Sequence, residues 1–153
     1  KSGVNTQTYK YYVDFAAKYG LEYLILDEGW SKTDDLLTLN PDVDLPELLA
    51  YAKKKNVGIV LWVLWTSLDK QWTQAFDQFE KWGVKGIKVD FMQRDDQKMV
   101  NFYERTAREA AKLVCKARFE AFGTAGNASK IKPIGLDKIA ASYKSGALNQ
   151  IIR

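Results

Sequence analysis

Three short apolar runs, each entered from a glycine or an asparagine, constrain the fold of this chain more than any other feature. They cover residues 23–27, 59–62 and 86–90. A glycine or asparagine at this position is typical of the end of a preceding helix. The runs are continuous rather than alternating, as in the strands of a parallel sheet that is covered on both faces. The sequence therefore predicts three parallel strands.

Segments with the apolar spacing of helices lie around these runs. The first is capped by Asn5 or Thr6, and the second opens at Asp44 with Pro46 in its first turn. Their apolar stripes, and those of two later helices, are Tyr9, Tyr12, Val13 and Ala16; Leu45, Leu48, Leu49 and Ala52; Trp72, Ala75, Phe76 and Phe79; and Met99, Phe102, Tyr103, Thr106 and Ala110. Helices and strands thus alternate as in a run of βα units.

This alternation predicts an α/β fold with a parallel sheet. A further strand within residues 114–122 would bring the number of βα units to four or five. A closed (β/α)8 TIM barrel has eight units, so the chain corresponds to a partial barrel, about half of one. We expect a single domain over residues 1–153, in which residues 113–153 form an atypical C-terminal segment.

Composition excludes several kinds of chemistry. The chain has no histidine and a single cysteine, Cys115, so it has no His-based triad, no His-ligated metal and no internal disulfide. Acid–base chemistry must use Asp, Glu, Lys, Tyr or Cys. The net charge of +4 is carried by lysines scattered among acids, which predicts no nucleic-acid partner. No apolar run approaches the ~20 residues of a membrane span, so no membrane partner is predicted.

Carboxylates and tryptophans follow the predicted strands. In parallel α/β folds, catalytic groups gather at the carboxyl ends of the strands. Carboxylates accept hydrogen bonds from sugar hydroxyls, indole rings stack on the apolar faces of sugars, and glycoside hydrolysis uses two carboxyl groups. The pattern favours a sugar site built from Asp27, Glu28, Trp30, Trp62, Trp65, Asp90 and Arg94.

The same residues have purely structural interpretations. Asp27 and Glu28 can cap a turn, and a lone tryptophan can be a core residue. Lys88 lies on the same face of its strand as Asp90, which predicts a buried ion pair between them. The remaining tryptophans, Trp72 and Trp82, fall on helix faces and are assigned to the core.

Several separate segments closely resemble glycoside hydrolase family 97, in the order in which that family carries them. They are residues 3–6 with 9–12, residues 24–30, and residues 83–92 with 94–97. The resemblance covers residues 1–112 and implies a (β/α) barrel, whose fourth strand closes at Asp90. The family contains bacterial α-glucosidases and α-galactosidases, with inverting and retaining branches.

The resemblance also implies roles for individual residues. Asp90 occupies the position of the nucleophile in the retaining, α-galactosidase-like branch. Asp27, Glu28, Trp30 and Lys88 would line the sugar subsite. The implied substrate is a small carbohydrate, and the implied location is periplasmic or secreted. Calcium is a cofactor by resemblance only, because the family's calcium-binding glutamates lie largely outside this segment; no metal or other cofactor is predicted within the chain.

The general acid is not identified by the pattern. Glu120 is the one candidate, as the only glutamate after Asp90 at a predicted strand end. Half a barrel also exposes two sheet edges, which predicts a homo-oligomer that completes the barrel.

Two other functions stay open. A catalytically inactive carbohydrate-binding or assembly module would keep the aromatic residues without needing a general acid. An unrelated barrel enzyme, such as a phosphate-binding isomerase, would need a late glycine-rich loop, for which residues 123–126 are a weak candidate.

Overall fold

A computed structural model describes the backbone of residues 3–122 and the side chains of residues 3–113. Residues 1–118 form one compact unit, and most of the second unit, residues 119–153, lies outside the described residues. The elements are α1 (Thr6–Lys18), β1 (Tyr23–Leu26), β2 (Ser31–Lys32), β3 (Asp35–Leu39), α2 (Leu45–Lys54), β4 (Gly58–Leu64), α3 (Trp65–Lys70), α4 (Trp72–Trp82), β5 (Gly86–Asp90) and α5 (Gln97–Phe122). Helices and strands alternate as predicted.

The helix boundaries follow from local chemistry. The side chain of Asn5 accepts a hydrogen bond from the Thr8 N–H and caps α1. Asp44 caps α2 in the same way, and Pro46 lies in its first turn. Gly83 ends α4 in the left-handed conformation that glycine adopts without strain. Asp96 accepts from the Met99 N–H at the start of α5. These caps confirm the predicted helix starts.

The three predicted strands form one parallel sheet in the order β1–β4–β5. Leu26 of β1 pairs with Leu61 of β4, and Trp62 of β4 pairs with Lys88 of β5. Because all three strands are parallel, their carboxyl ends lie at the same edge of the sheet. The α/β class and the parallel sheet are therefore confirmed.

The two faces of this sheet differ in burial. One face contributes to the apolar core, and its residues from β4 are Ile59, Leu61 and Val63. The other face, here called the open face, carries Tyr23 and Ile25 of β1, which are exposed, together with partly buried Val60. Trp62 and Leu64 follow Val60 at intervals of two residues and therefore point to the same side of β4. Their partners on β5 are Lys88 and Asp90, so these two residues also belong to the open face. The predicted covering of both faces is thus seen on one face only within the described residues.

Trp30 is the largest fully buried side chain, with 1% of its surface exposed. Its ring packs edge-on against Phe79 and Trp82 of α4, with both pairs of ring centroids 6.2 Å apart. Its indole N–H donates to the main-chain oxygen of Trp62 over 2.8 Å. Trp30 therefore ties the loop after β1 to both α4 and β4.

A small antiparallel hairpin, β2–β3, follows Trp30 and has no counterpart in the predicted elements. Gln71, which lies between α3 and α4, binds the hairpin through its side chain. Its amide oxygen accepts a hydrogen bond from the Leu36 N–H, and its amide nitrogen donates to Asp35. Asp35 also accepts from the Thr38 hydroxyl. Hydrogen bonds from Thr38, Gln71 and the Leu37 N–H lower the pKa of Asp35 to about 2. The hairpin is held by polar contacts that short-range patterns do not reveal.

Two expectations about the helices and strands were wrong. Residues 114–122 continue helix α5 and form no strand, so Glu120 is not at a strand end. Tyr12 is 42% exposed and Tyr103 is 50% exposed, so neither is buried with the apolar stripe of its helix.

None of the helices within the described ranges is long and apolar enough to cross a membrane. The side chain of Cys115 and the loop at residues 123–126 lie outside the described residues.

Candidate active site at the carboxyl edge of the sheet

Three charged side chains from two strands meet at the carboxyl edge of the sheet. Asp27 directly follows β1, and Lys88 and Asp90 lie at the end of β5. Strand β4 separates β1 from β5, and its residue Trp62 lies opposite Lys88. Lys88 Nζ is 2.7 Å from Asp27 Oδ2 and 3.7 Å from Asp90 Oδ2. The fold thus brings Asp27, which is 61 residues away from Lys88 in the sequence, into one cluster with Lys88 and Asp90.

Lys88 influences both carboxylates electrostatically. Its hydrogen bond is the largest cause that lowers the pKa of Asp27, and the Glu28 N–H adds to it. The same contact with Asp27, followed by the charge of Asp90, raises the pKa of Lys88. All three groups are therefore charged at neutral pH. The predicted ion pair between Lys88 and Asp90 exists, but it is not buried, since both side chains are 40% exposed.

The two oxygens of Asp90 each accept a hydrogen bond from an N–H group. The Trp62 indole donates to Oδ2 over 3.0 Å, and the Phe91 main chain donates to Oδ1 over 2.8 Å. The Trp62 bond is the largest cause that lowers the pKa of Asp90, followed by the Phe91 bond. Asp90 is thus an ionised carboxylate whose plane is fixed from two sides.

Phe91 has a backbone conformation that is unusual for its residue type. Its φ of 59° lies in the left-handed region, which a bulky residue rarely adopts. Such strain is often found at functional sites. Sequence reasoning missed Phe91, because no local pattern identifies a positive φ at a phenylalanine.

Two of the predicted sugar-stacking tryptophans have no exposed ring face. Trp30 belongs to the core, and Trp62 is only 3% exposed. Both are therefore corrections: burial removes the surface on which a sugar ring would stack. Trp65 is partly buried; its ring packs against Phe102, and Lys98 lies over it with Nζ 5.9 Å from the ring centroid.

The remaining candidates make local contacts. Glu28 accepts from the Thr33 hydroxyl over 2.9 Å. Arg94 forms an ion pair with Asp96, which lies next to the start of α5. The Glu120 side chain lies outside the described residues. The roles of Glu28 and Arg94 stay predictions.

Among the described side chains, no group of three or more Asp, Glu, Cys or His residues is arranged to hold a metal ion. At the strand ends, the Lys88 ammonium group lies within ion-pair distance of both Asp27 and Asp90 and already neutralises part of their charge. These residues therefore do not fit a calcium site.

Replacing Lys88 with methionine should raise the pKa of Asp27 toward its ordinary value of about 3.9, because the largest cause of its lowering is removed. In the native chain the lowered pKa stabilises the fold above about pH 4, and this contribution is lost as the pH falls through the lowered value. The variant should lose less stability on acidification. Carboxyl NMR titration and urea unfolding at pH 7 and pH 3 measure both effects. Lys81→Met, at an exposed position in the last turn of α4, is the control and should change neither.

Comparison with known proteins identifies the family. The family Glycoside hydrolase 97 matches residues 1–124. The chain belongs to glycoside hydrolase family 97. Among curated proteins it is similar to a retaining α-galactosidase of Bacteroides thetaiotaomicron, with 43% identity over 90% of this chain and 20% of the relative. Among solved structures it is similar to a family 97 enzyme of Pseudoalteromonas sp. strain K8 in complex with acarbose. That match has 26% identity and a TM-score of 0.59, over 74% of this chain and 22% of the other.

The present chain spans about a fifth of the length of these relatives. A shorter stretch is similar to a different protein, a fructose-bisphosphate aldolase of Xanthobacter flavus. That match has 59% identity over 46 residues, which is 30% of this chain and 13% of the aldolase. Residues 125–153 lie beyond the family 97 match.

Proposed function

We propose that this chain provides part of the active site of a retaining glycoside hydrolase that acts on α-galactosides, with Asp90 as the nucleophile. The observation that carries the proposal is the state of Asp90: it lies at a strand end, it is ionised, and N–H donors orient both of its oxygens. An ionised, oriented carboxylate is what attack on an anomeric carbon requires. The retaining α-galactosidase among its relatives supports the same chemistry.

The proposed reaction is a double displacement. Asp90 Oδ attacks the anomeric carbon while the bond to the leaving oxygen breaks, and a general acid protonates that oxygen. Water then attacks the glycosyl-enzyme, gives a proton to the conjugate base of the general acid, and releases the sugar and the free carboxylate. Asp27 does not fit the role of general acid, because its pKa is lowered and it is paired with Lys88. A general acid needs a raised pKa. The general acid is therefore a residue other than Asp27. The case for Glu120 is lost, because that residue lies in helix α5 and not at a strand end.

We also infer that the three-stranded sheet is a section of a (β/α)8 barrel whose interior is the open face. The parallel strand order and the helices on one face support this, as does the likeness to a family 97 structure. The predicted homo-oligomer would cover the open face with a second copy, and light scattering of the purified chain measures that prediction.

The test uses α-galactosyl fluoride, because fluoride leaves without protonation and the general acid is not needed for the first step. We expect fluoride release and a galactosyl group on the peptide that contains Asp90, detected by mass spectrometry after acid quenching. β-Galactosyl fluoride is the matched control and should give neither. A folded chain that binds galactose but neither releases fluoride nor becomes labelled would contradict the proposal and would indicate the non-catalytic binding module instead.

A further inference from the structure

We propose that Trp62 is a positioning residue for Asp90, and that Trp30 in turn holds Trp62 in place. This inference rests on the proposed function of Asp90 as nucleophile. It replaces the role predicted from the sequence, in which both tryptophans stack on the sugar.

The position of Trp62 makes its indole N–H available to Asp90. Trp62 lies on β4 opposite Lys88, and Leu64 lies opposite Asp90. Trp62 is therefore on the same face of the sheet as Asp90, two residues closer to the amino ends of the strands. Its ring is buried, and the ring of Phe91 packs edge-on against it at a centroid distance of 6.1 Å. An indole N–H can only donate, and a buried one needs an acceptor. Asp90 Oδ2 is that acceptor.

This bond constrains the carboxylate in a way that Lys88 does not. The Phe91 N–H holds Oδ1 and the Trp62 N–H holds Oδ2, so the two donors together fix the plane of the group. Lys88 is farther from Asp90, at 3.7 Å, on a flexible stem, and its shorter contact is with Asp27. Without the Trp62 N–H, one hydrogen bond would remain and the carboxylate could rotate about it. Precise orientation of the attacking group contributes strongly to the rate of an enzymatic reaction.

Trp30 holds the main chain at the same residue. Strand β1 ends at Leu26, whose partner on β4 is Leu61, so Trp62 is the first β4 residue beyond the pairs with β1. The Trp30 indole donates to the Trp62 carbonyl oxygen, and its ring is packed against Phe79 and Trp82. Two hydrogen bonds thus link the apolar core to Asp90: the Trp30 indole donates to the Trp62 carbonyl oxygen, and the Trp62 indole donates to Asp90.

The test replaces Trp62 with phenylalanine, which keeps an aromatic ring and removes the N–H. With α-galactosyl fluoride we expect the maximal rate to fall by about tenfold to a hundredfold while KM changes little, because positioning of the nucleophile is lost rather than sugar binding. Independently of activity, NMR titration should show the pKa of Asp90 moving up toward its ordinary value. The control is Trp72→Phe, which removes an α4 indole that packs on Phe76 and Phe102; both readouts should stay as in the native chain.

The outcomes separate this inference from the proposed function. An unchanged Asp90 titration and an unchanged rate in a folded Trp62→Phe chain would overturn the positioning role, while labelling of Asp90 would still stand. If the native chain is not labelled, the proposed function fails, and the Asp90 titration still decides whether Trp62 holds the carboxylate. Should Trp62→Phe not fold, β-(3-benzothienyl)alanine at position 62 keeps the two-ring shape and removes only the N–H. The same shift of the Asp90 titration is expected with it, and an unchanged titration would overturn the inference.

Discussion

Asp90→Ala should reduce fluoride release from α-galactosyl fluoride by about 10⁴-fold, because it removes the group that forms the covalent intermediate. Sodium azide should restore much of the lost rate. Azide can enter the space that the carboxylate leaves and attack the anomeric carbon from the same face. That single displacement breaks the bond to fluoride and yields β-galactosyl azide, which chromatography and NMR identify.

The matched control for this prediction is Asp95→Ala. Asp95 is an exposed carboxylate five residues farther along, outside strand β5, and its removal should leave the rate unchanged with or without azide. Retained activity in Asp90→Ala, or an α-configured azide product, would show that Asp90 is not the nucleophile.

Trp30→Ala should lower the free energy of unfolding by about 3–5 kcal/mol, as is typical for truncation of a large buried aromatic side chain. This is a large share of the ~5–15 kcal/mol that stabilises an ordinary domain. The loss includes the cavity between the sheet and α4, and the hydrogen bond to the Trp62 carbonyl. Urea unfolding followed by far-UV circular dichroism measures it.

Two comparisons test the cause of that loss. Trp30→Phe refills most of the cavity but lacks the N–H, so it should be clearly less destabilising than Trp30→Ala. Tyr11→Ala, at a position that is 67% exposed, should change the unfolding free energy by less than about 0.5 kcal/mol. A loss of under about 1 kcal/mol in Trp30→Ala would contradict the role of Trp30 as a core residue.

The elements that sequence analysis predicted correctly depend on short-range signals. Asn5 and Asp44 mark helix starts because their side chains cap N–H groups within the next three residues. Gly83 marks a helix end through its own backbone conformation. The strand that ends at Asp90 was predicted within its observed bounds. Each signal lies within a few residues of the feature it predicts.

What the sequence could not predict depends on contacts between distant residues. Trp30 follows a strand and Trp62 lies within one, at positions where a residue that stacks on a sugar could also lie. Their burial becomes visible only in the three-dimensional packing. The partner of Lys88 was predicted from strand periodicity as Asp90, yet the nearer carboxylate is Asp27, which follows β1, a strand that is not adjacent to β5. The hairpin at Asp35 depends on Gln71, which is 36 residues away.

The prediction for residues 114–122 was wrong for a local reason. A further strand was predicted there, whereas α5 extends from Gln97 to Phe122. A short apolar run does not distinguish a strand from a buried helical turn.

The open face of the sheet has a consequence for the strength of the ionic contacts at its edge. Tyr23 and Ile25 on this face are in contact with water, and Lys88 and Asp90 belong to the same face. Any surface that packs on the two apolar residues also displaces water near the charges and lowers the local dielectric constant. The attraction between two charges varies inversely with that constant, so the pull of Lys88 on its two carboxylates grows when the face is covered. The ionic environment of Asp90 is thus coupled to any surface that covers the open face.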